Sequence, residues 1–203
     1  MDNWQNYTGC RALSNEEIDR IHASFYGKYQ LRDRAIFLVG VYTGFRISEI
    51  LSLRAIDVIE EQVEGNRIRN FITVEKGFMK GRRESRTIPL HERTRSAISN
   101  LIESIPSQWE NNSLPLFRCQ GTSKRLSARM YSIQLKRAAS AAGISCERLS
   151  SHSMRKSFAS RLYPIIGKDL VKMAQLLGHK DIKNTMRYIQ FLDNSLTEAV
   201  LSV

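Results

Sequence analysis

The sequence predicts a mainly α-helical α+β protein with a small three-stranded antiparallel sheet on one side. Apolar residues recur at helical spacing through most of the 203-residue chain, and glycines or capping residues separate these stretches. Over residues 58–90 the pattern changes to short β-branched runs broken by glycine, which is typical of hairpin strands. A chain of this length can bury a core of its own, so we expect one domain.

The first two helices have recognisable ends. Ser14 and Glu17 form an S-x-x-E capping box, which begins a helix because side chain and backbone satisfy each other's donors. The apolar pattern over residues 32–42 is dense and too long for a strand, so it predicts a buried central helix. Gly44 stands where a left-handed residue ends such a helix.

Arg46 follows this glycine turn at the start of a further helix, predicted over residues 47–54. A cation is disfavoured there, because the N-terminal end of a helix carries partial positive charge. The position therefore suits an arginine that binds an anion better than an ordinary surface arginine. Glu49 lies three residues later on the same helix face. It is either a routine salt-bridge partner of Arg46 or a group that orients its guanidinium.

The β-branched runs predict strands over residues 58–59, 67–74 and 86–90. The connection before the last strand is strongly basic and contains Lys76, Lys80, Arg82 and Arg83. A basic hairpin tip can bind a polyanion, but it can equally be a well-solvated turn that resists edge pairing.

The remaining helices follow from the same helical periodicity and from the glycines and prolines that end them. They are predicted over residues 92–105, 127–142, 151–164, 168–177 and 182–188. Residues 106–126 are expected to form a loop that turns basic at Lys124 and Arg125. The charged face of the next helix can lie along nucleic-acid phosphates or be ordinary solvated surface.

Residues with phosphate chemistry collect in the last third of the chain. His152 and Arg155 are three residues apart, so they project from one side of a helix. His179 follows Gly178 at a corner rather than on an apolar face, which favours a hydrogen-bonding role. Tyr188 lies near the end of the last predicted helix. Taken alone, His152 and Tyr188 would more often be structural residues.

The composition favours a polyanionic partner. A formal net charge of +11 and a pI near 9.9, with 42% hydrophobic residues, indicate a folded protein with a basic surface. Nucleic acid is the first candidate, although some basic proteins bind nothing in particular. The three cysteines and the carboxylates follow no metal-ligand spacing. No apolar run approaches the roughly 20 residues of a membrane span. We therefore expect a cytoplasmic protein without membrane contact, metal or cofactor.

Four motifs occur in order: T-G-x-R-x-S-E-x-L-x-L from residue 43, H-x-x-R from residue 152, L-G-H from residue 177 and R-Y from residue 187. In this order and at these separations they resemble the catalytic domain of the tyrosine recombinase (phage integrase) family. The hairpin pattern K-G-x-x-E-x-R-x-x-P-L, which begins at Lys80, is similar to the family's. Its spacing to Pro89 is about one residue longer than in relatives, so Lys76 stays a competitor for the hairpin lysine. At Lys156 relatives often carry a histidine.

The resemblance implies a site-specific DNA recombinase that cuts and rejoins DNA through a 3′-phosphotyrosine intermediate, without metal or ATP. It implies Tyr188 as the nucleophile, Lys80 as the general acid, His152 as a general base or donor, and Arg46, Arg155 and His179 as phosphate ligands. Glu49 would support Arg46. Contacts to DNA are expected from Lys76, Arg82, Arg83, Lys124, Arg125 and Lys156.

Two alternatives stay open. A type IB topoisomerase-like enzyme would use the same chemistry to relax DNA, and a catalytically idle DNA-binding regulator would keep only the fold. The resemblance implies a homotetramer on double-stranded DNA and a monomer when free, in a bacterial, phage or mobile-element context.

We place the catalytic domain at residues 14–192, after a frayed lead-in at residues 1–13. Relatives usually carry an N-terminal DNA-clamping domain as well, so this sequence is expected to be an excised catalytic domain or a naturally short relative. The tail, residues 193–203, has apolar residues at helical spacing. It can dock on a neighbouring copy or fold back on its own domain.

Overall fold

The structure is a computed structural model that describes residues 9–60, 67–75, 85–104, 113–119, 122–179 and 181–189, with the backbone alone for 187–189. Its elements are α1 (Asn15–Ala23), α2 (Gln30–Thr43), α3 (Ile47–Ser52), β1 (Phe71–Val74), β2 (Arg86–Pro89), α4 (Glu92–Glu103), α5 (Ala128–Ala141), α6 (Ser151–Ile165), α7 (Leu170–Leu177) and α8 (Ile182–Ile189). The mainly helical fold class is confirmed. Within the described ranges, no helix combines the length and the apolar character that a membrane crossing needs.

The central helix α2 is buried on all sides, because α1, α3, α4, α5 and α6 pack around it. Gly44 ends this helix in the left-handed conformation, with φ of 63°, as the sequence predicts. Near the same end, Arg161 of α6 donates to the carbonyl of Val41. A cation thus meets the partial negative charge at the end of the helix.

Two glycines bring α2 and α6 close together. A Cβ atom added at Gly40 would lie 2.8 Å from the side chain of Met154, and one added at Gly44 would overlap the ring of Phe158. Met154 and Phe158 lie on α6, on either side of Arg155. The lack of side chains at Gly40 and Gly44 therefore sets how near Arg155 comes to the end of α2.

The sheet has two strands in the described part of the chain, so the predicted third strand is wrong. β1 and β2 are antiparallel, with Val74 opposite Arg86. Residues 58–59 pair only through a single bridge between Ile59 and Ile68. A 3₁₀ turn at Ala55–Asp57 immediately precedes this segment and shortens its extended part. Burial alternates along β2, which places Arg86 on the core-facing side.

The other helices lie where the periodicity predicts them, with small shifts at their ends. The predicted capping box between Ser14 and Glu17 is present, and the helix that it begins, α1, ends at Ala23. The loop after α4 is anchored by Phe117, which is fully buried.

Residues 9–13, called the strap below, run alongside α6, whereas the sequence suggested a frayed lead-in over residues 1–13. Four hydrogen bonds join the strap to α6 and to the turn before it: Leu13 N to Ser157 Oγ (2.8 Å), Lys156 Nζ to Cys10 O (2.6 Å), Arg11 N to Arg148 O (2.9 Å) and Arg148 Nε to Gly9 O (2.9 Å). The ammonium group of Lys156, an expected DNA contact, thus also holds the strap on α6.

The contact between Gly44 and Phe158 can be tested by Gly44→Ala. The new methyl group meets a strained left-handed backbone and overlaps a packed ring, so we expect a loss of about 2–5 kcal/mol in the free energy of unfolding. Urea unfolding followed by circular dichroism measures it. Gly27→Ala is the matched control, because Gly27 has φ of +84° with nothing within 4 Å. Equal losses in both variants would show that the packing against Phe158 adds nothing.

Candidate active site

Arg46 is the N-cap residue of α3 and is held by Glu49 from two directions. Its guanidinium donates to Glu49 Oε1 at 2.8 Å, and its backbone N–H donates to Glu49 Oε2 at 2.7 Å. The carboxylate side chain is 1% exposed, whereas the side chain of Arg46 keeps 32% of its surface exposed. Glu49 therefore orients Arg46 from the buried side, while part of the Arg46 side chain stays accessible to solvent.

Arg155 joins two distant parts of the chain. It is 1% exposed and donates to the carbonyl of Gly44 at 2.5 Å and to that of Leu177 at 2.6 Å. Gly44 precedes Arg46 by two residues, and Leu177 precedes His179 by two. Both carbonyls lie at the C-terminal ends of helices, where the partial negative charge favours a cation. Folding thus brings the segments of Arg46, Arg155 and His179 together.

His152 lies in the first turn of α6, beside these arginines. The surrounding protein lowers the pKa of its imidazole by desolvation, and the positive charges of Arg155, Arg46 and Lys156 lower it further, while Glu49 opposes them. The N-terminal end of the helix acts in the same direction, because it disfavours a cation. The residue as a whole is exposed. A neutral imidazole is therefore presented to solvent next to two guanidinium groups.

His179 follows the left-handed Gly178, which ends α7 with φ of 70°. Its Nδ1 lies 2.8 Å from Thr185 Oγ1, and Thr185 is fully buried. This contact fixes the ring against α8, which packs on α6 and α7. Tyr188 is three residues further along α8 than Thr185, in the last turn of that helix. Its side chain lies outside the described residues.

Arg86 was not singled out from the sequence, yet it joins α3 to the end of α7. Its guanidinium is 5% exposed and donates to Glu49 Oε2 at 3.1 Å, to Leu176 O at 3.0 Å and to Leu177 O at 2.5 Å. It also lies over the ring of Phe45, 4.3 Å from the centroid. A buried guanidinium with a carboxylate and carbonyl partners is a strong structural tie.

One sequence signal could have found Arg86. It is the arginine of the hairpin pattern, and it stands two residues before Ile88, so both face the core in a strand. A charged residue at a core-facing position indicates a buried partner. Thr185 gave no such signal, since its contact with His179 depends on how α8 packs.

The remaining predicted residues divide by location. The hairpin residues Lys76, Lys80, Arg82 and Arg83 lie outside the described residues. Lys124 and Arg125 are exposed on the segment just before α5, where a long ligand can reach them. In the parts of the chain that the structure describes, no group of three or more His, Cys, Asp or Glu side chains is placed to hold a metal ion.

The chain belongs to the phage integrase family, whose family model matches residues 11–195. Among curated relatives, the tyrosine recombinase XerD of Rickettsia conorii is 32% identical over 164 residues, which cover 78% of this chain and 52% of the relative. The tyrosine recombinase XerC of Caldanaerobacter subterraneus subsp. tengcongensis is 27% identical over 188 residues, which cover 93% of this chain and 49% of the relative. The chain thus spans about half the length of these relatives.

Solved structures share the fold. The XerA recombinase superposes with a TM-score of 0.73 at 23% identity, over 96% of this chain and 65% of that one. The XerH site-specific recombinase, bound to a palindromic difH substrate in a post-cleavage complex, gives a TM-score of 0.71 at 24% identity, over 97% of this chain and 56% of that one.

The buried carboxylate at the centre of the cluster can be tested by Glu49→Gln. Loss of its charge leaves the buried Arg86 without its anion, so we expect a loss of about 3–5 kcal/mol in the free energy of unfolding. Urea unfolding measures it. The control is Asp19→Asn, which breaks an exposed pair with Arg93 and should cost about 0–1 kcal/mol. A loss for Glu49→Gln as small as that of the control would contradict a structural role for this carboxylate.

The environment of His152 predicts its titration. Its pKa should lie below the ordinary 6.5, and Lys156→Gln should raise it toward that value by removing a neighbouring positive charge. An NMR titration of the imidazole resonances measures both. Lys172→Gln serves as control and should leave the pKa unchanged, because Lys172 is an exposed lysine of α7 paired with Asp169. A pKa at or above 6.5 in the unaltered protein would contradict the lowering by burial and by the neighbouring cations.

Proposed function

We propose that this chain is the catalytic part of a site-specific DNA recombinase, which cuts and rejoins double-stranded DNA through a 3′-phosphotyrosine at Tyr188. The observation that supports the proposal most is the convergence of Arg46, at the start of α3, with His152 and Arg155 of α6, a helix far away in sequence. Arg155 bonds the carbonyl two residues before Arg46, and both cations act on the imidazole of His152. Membership of the phage integrase family points the same way.

The chemistry requires a cationic pocket, because the non-bridging oxygens of a phosphodiester gain charge when its phosphorus is attacked. Guanidinium groups suit it, since they are permanently charged and donate in a planar fork. Arg46 is partly exposed and can meet a phosphate directly. Arg155 lies beneath the surface, so its direct contact with phosphate requires the groups above it to move when DNA binds.

The proton transfers follow from the remaining residues. The hydroxyl oxygen of Tyr188 attacks phosphorus, and its proton passes to the neutral imidazole of His152. The bond to the 5′ oxygen breaks, and Lys80 supplies the proton that this oxygen takes up. His179 donates to a phosphate oxygen. The phosphotyrosine keeps the phosphodiester's bond energy, so the 5′ hydroxyl of a second strand can reverse the step without ATP.

Double-stranded DNA is the proposed partner, because the chain carries a net charge of +11 and the XerH relative was solved on its DNA substrate. Lys124 and Arg125 are the exposed cations proposed to follow the phosphates. Exchange between two DNA duplexes needs four active sites, so we propose a homotetramer on DNA and a monomer when free. Such an enzyme acts where its DNA is, in the cytoplasm of a bacterial host.

The nucleophile can be tested with a nicked suicide DNA substrate, from which the short fragment that carries the free 5′ hydroxyl diffuses away after cleavage. Its loss prevents rejoining, so the covalent intermediate accumulates. We expect a protein–DNA adduct with the unaltered chain and none with Tyr188→Phe, because phenylalanine has no oxygen to attack phosphorus. Denaturing gel electrophoresis of labelled DNA measures the adduct. The substrates are built from DNA fragments that the protein retains.

Tyr26→Phe is the control, because Tyr26 is an exposed tyrosine whose hydroxyl accepts a hydrogen bond from Arg137. It should form the adduct at the unaltered rate. An adduct with Tyr188→Phe would disprove the assignment of the nucleophile. DNA retention without any adduct would favour the idle regulator, and relaxation of supercoiled DNA without exchange would favour the topoisomerase-like alternative.

A further inference from the structure

We propose that Arg86 is a positioning residue of this site, which keeps Arg46, Arg155 and His179 in their relative places. It shares one acceptor with Arg46 and another with Arg155, and the second acceptor lies two residues before His179. The inference rests on the proposed function, since a cleavage rate is its main readout. Arg86 itself is 5% exposed, so it acts through its neighbours and is not proposed to contact DNA.

The first shared acceptor is the carboxylate of Glu49. Its Oε2 accepts from Arg86 Nη2 at 3.1 Å and from the backbone N–H of Arg46 at 2.7 Å, and its Oε1 accepts from the guanidinium of Arg46 at 2.8 Å. The carboxylate is therefore clamped between two arginines. If Arg86 is lost, Glu49 is held from one side only, and the orientation of Arg46 is no longer fixed.

The second shared acceptor is the carbonyl of Leu177, at the end of α7. It accepts from Arg86 and from Arg155, while Arg86 also bonds the preceding carbonyl, that of Leu176. Gly178 and His179 follow directly. Arg86 therefore ties the end of α7 to Glu49 and so fixes how far His179 stands from Arg46.

The position of Arg86 in the sheet adds the hairpin to this arrangement. Arg86 is the first residue of β2 and stands opposite Val74, the last residue of β1. The connection between the two strands contains Lys80, the proposed general acid. Arg86 thus ties the start of β2, where that connection ends, to Glu49 and to the carbonyls of Leu176 and Leu177.

The geometry demands an arginine. One planar guanidinium reaches a carboxylate on α3, two carbonyls on α7 and the face of Phe45 at the same time. A lysine has a compact ammonium with no planar face, so it cannot reproduce this set of contacts. Arg86→Lys keeps the positive charge but should lose the fixed placement of α7 relative to α3.

The experiment measures single-turnover cleavage of the suicide substrate at saturating DNA, together with DNA affinity and the thermal midpoint. We expect Arg86→Lys and Arg86→Ala to slow cleavage by about 10²-fold, the usual cost of small misplacements of reacting groups, with DNA affinity unchanged. A cavity of about 420 Å³ that Arg86 itself lines, with Ile88, Ile166 and Gln175, opens beside it. Guanidinium ions added to Arg86→Ala should enter there and restore the rate, whereas methylammonium should not.

Arg32→Lys is the matched control. Arg32 is also buried, bonds an adjacent carboxylate at 2.8 Å and the carbonyl of Arg118 at 3.0 Å, and lies over the ring of Tyr29 at 4.6 Å. It stands at the opposite end of α2 from Gly44, about 18 Å away. It should lower the thermal midpoint comparably and leave the cleavage rate unchanged.

Two results would overturn the proposal: an unaltered cleavage rate in Arg86→Lys, or a loss in Arg86→Ala that guanidinium does not restore although the variant is folded. If Arg86→Ala does not fold, the test is the cleavage rate of Arg86→Lys compared with that of Arg32→Lys, and equal rates would overturn the proposal. If the unaltered chain forms no adduct, the proposed function fails separately. In that case the NMR signals of the side-chain Nε–H groups of Arg46 and Arg155 test the role of Arg86. Unchanged signals in Arg86→Lys would exclude a positioning role for Arg86, and shifted signals would support it.

Discussion

Repulsion between like charges is the constraint that the site has to meet. Three arginines, on α3, β2 and α6, are gathered in a protein whose net charge is already +11, and closely spaced cations oppose one another. They are held by the carboxylate of Glu49 and by the carbonyls of Gly44 and Leu177. Each of these carbonyls stands at the C-terminal end of a helix, where partial negative charge collects. One carboxylate and two helix ends therefore hold the cationic pocket together.

The parts of this arrangement that depend on local backbone could be predicted from the sequence. Gly44 and Gly178 are each left-handed residues that end a helix, and glycine is the residue that adopts this conformation without strain. The same reasoning placed Arg46 at the start of α3, and the capping box at Ser14 predicted where α1 begins. Local signals of this kind need no knowledge of the rest of the fold.

The parts that depend on tertiary packing could not be predicted in the same way. The runs at residues 58–59 and 67–74 favour strands, but their pairing depends on the turn before them, and only a single bridge forms at Ile59. The bond from the ammonium group of Lys156 to the carbonyl of Cys10 was likewise not predicted. Arg86 was assigned to a strand correctly, but its partners come from α3 and α7, and no spacing in the sequence reveals them.

The strap gives the helix of Arg155 a mechanical connection to the chain ahead of it. Its bonds reach Ser157 and Lys156, which lie within one turn of Arg155 on α6, and Arg148 just before that helix. A displacement of the strap therefore strains bonds on α6 next to Arg155. The position of the strap and the position of that guanidinium are thus coupled.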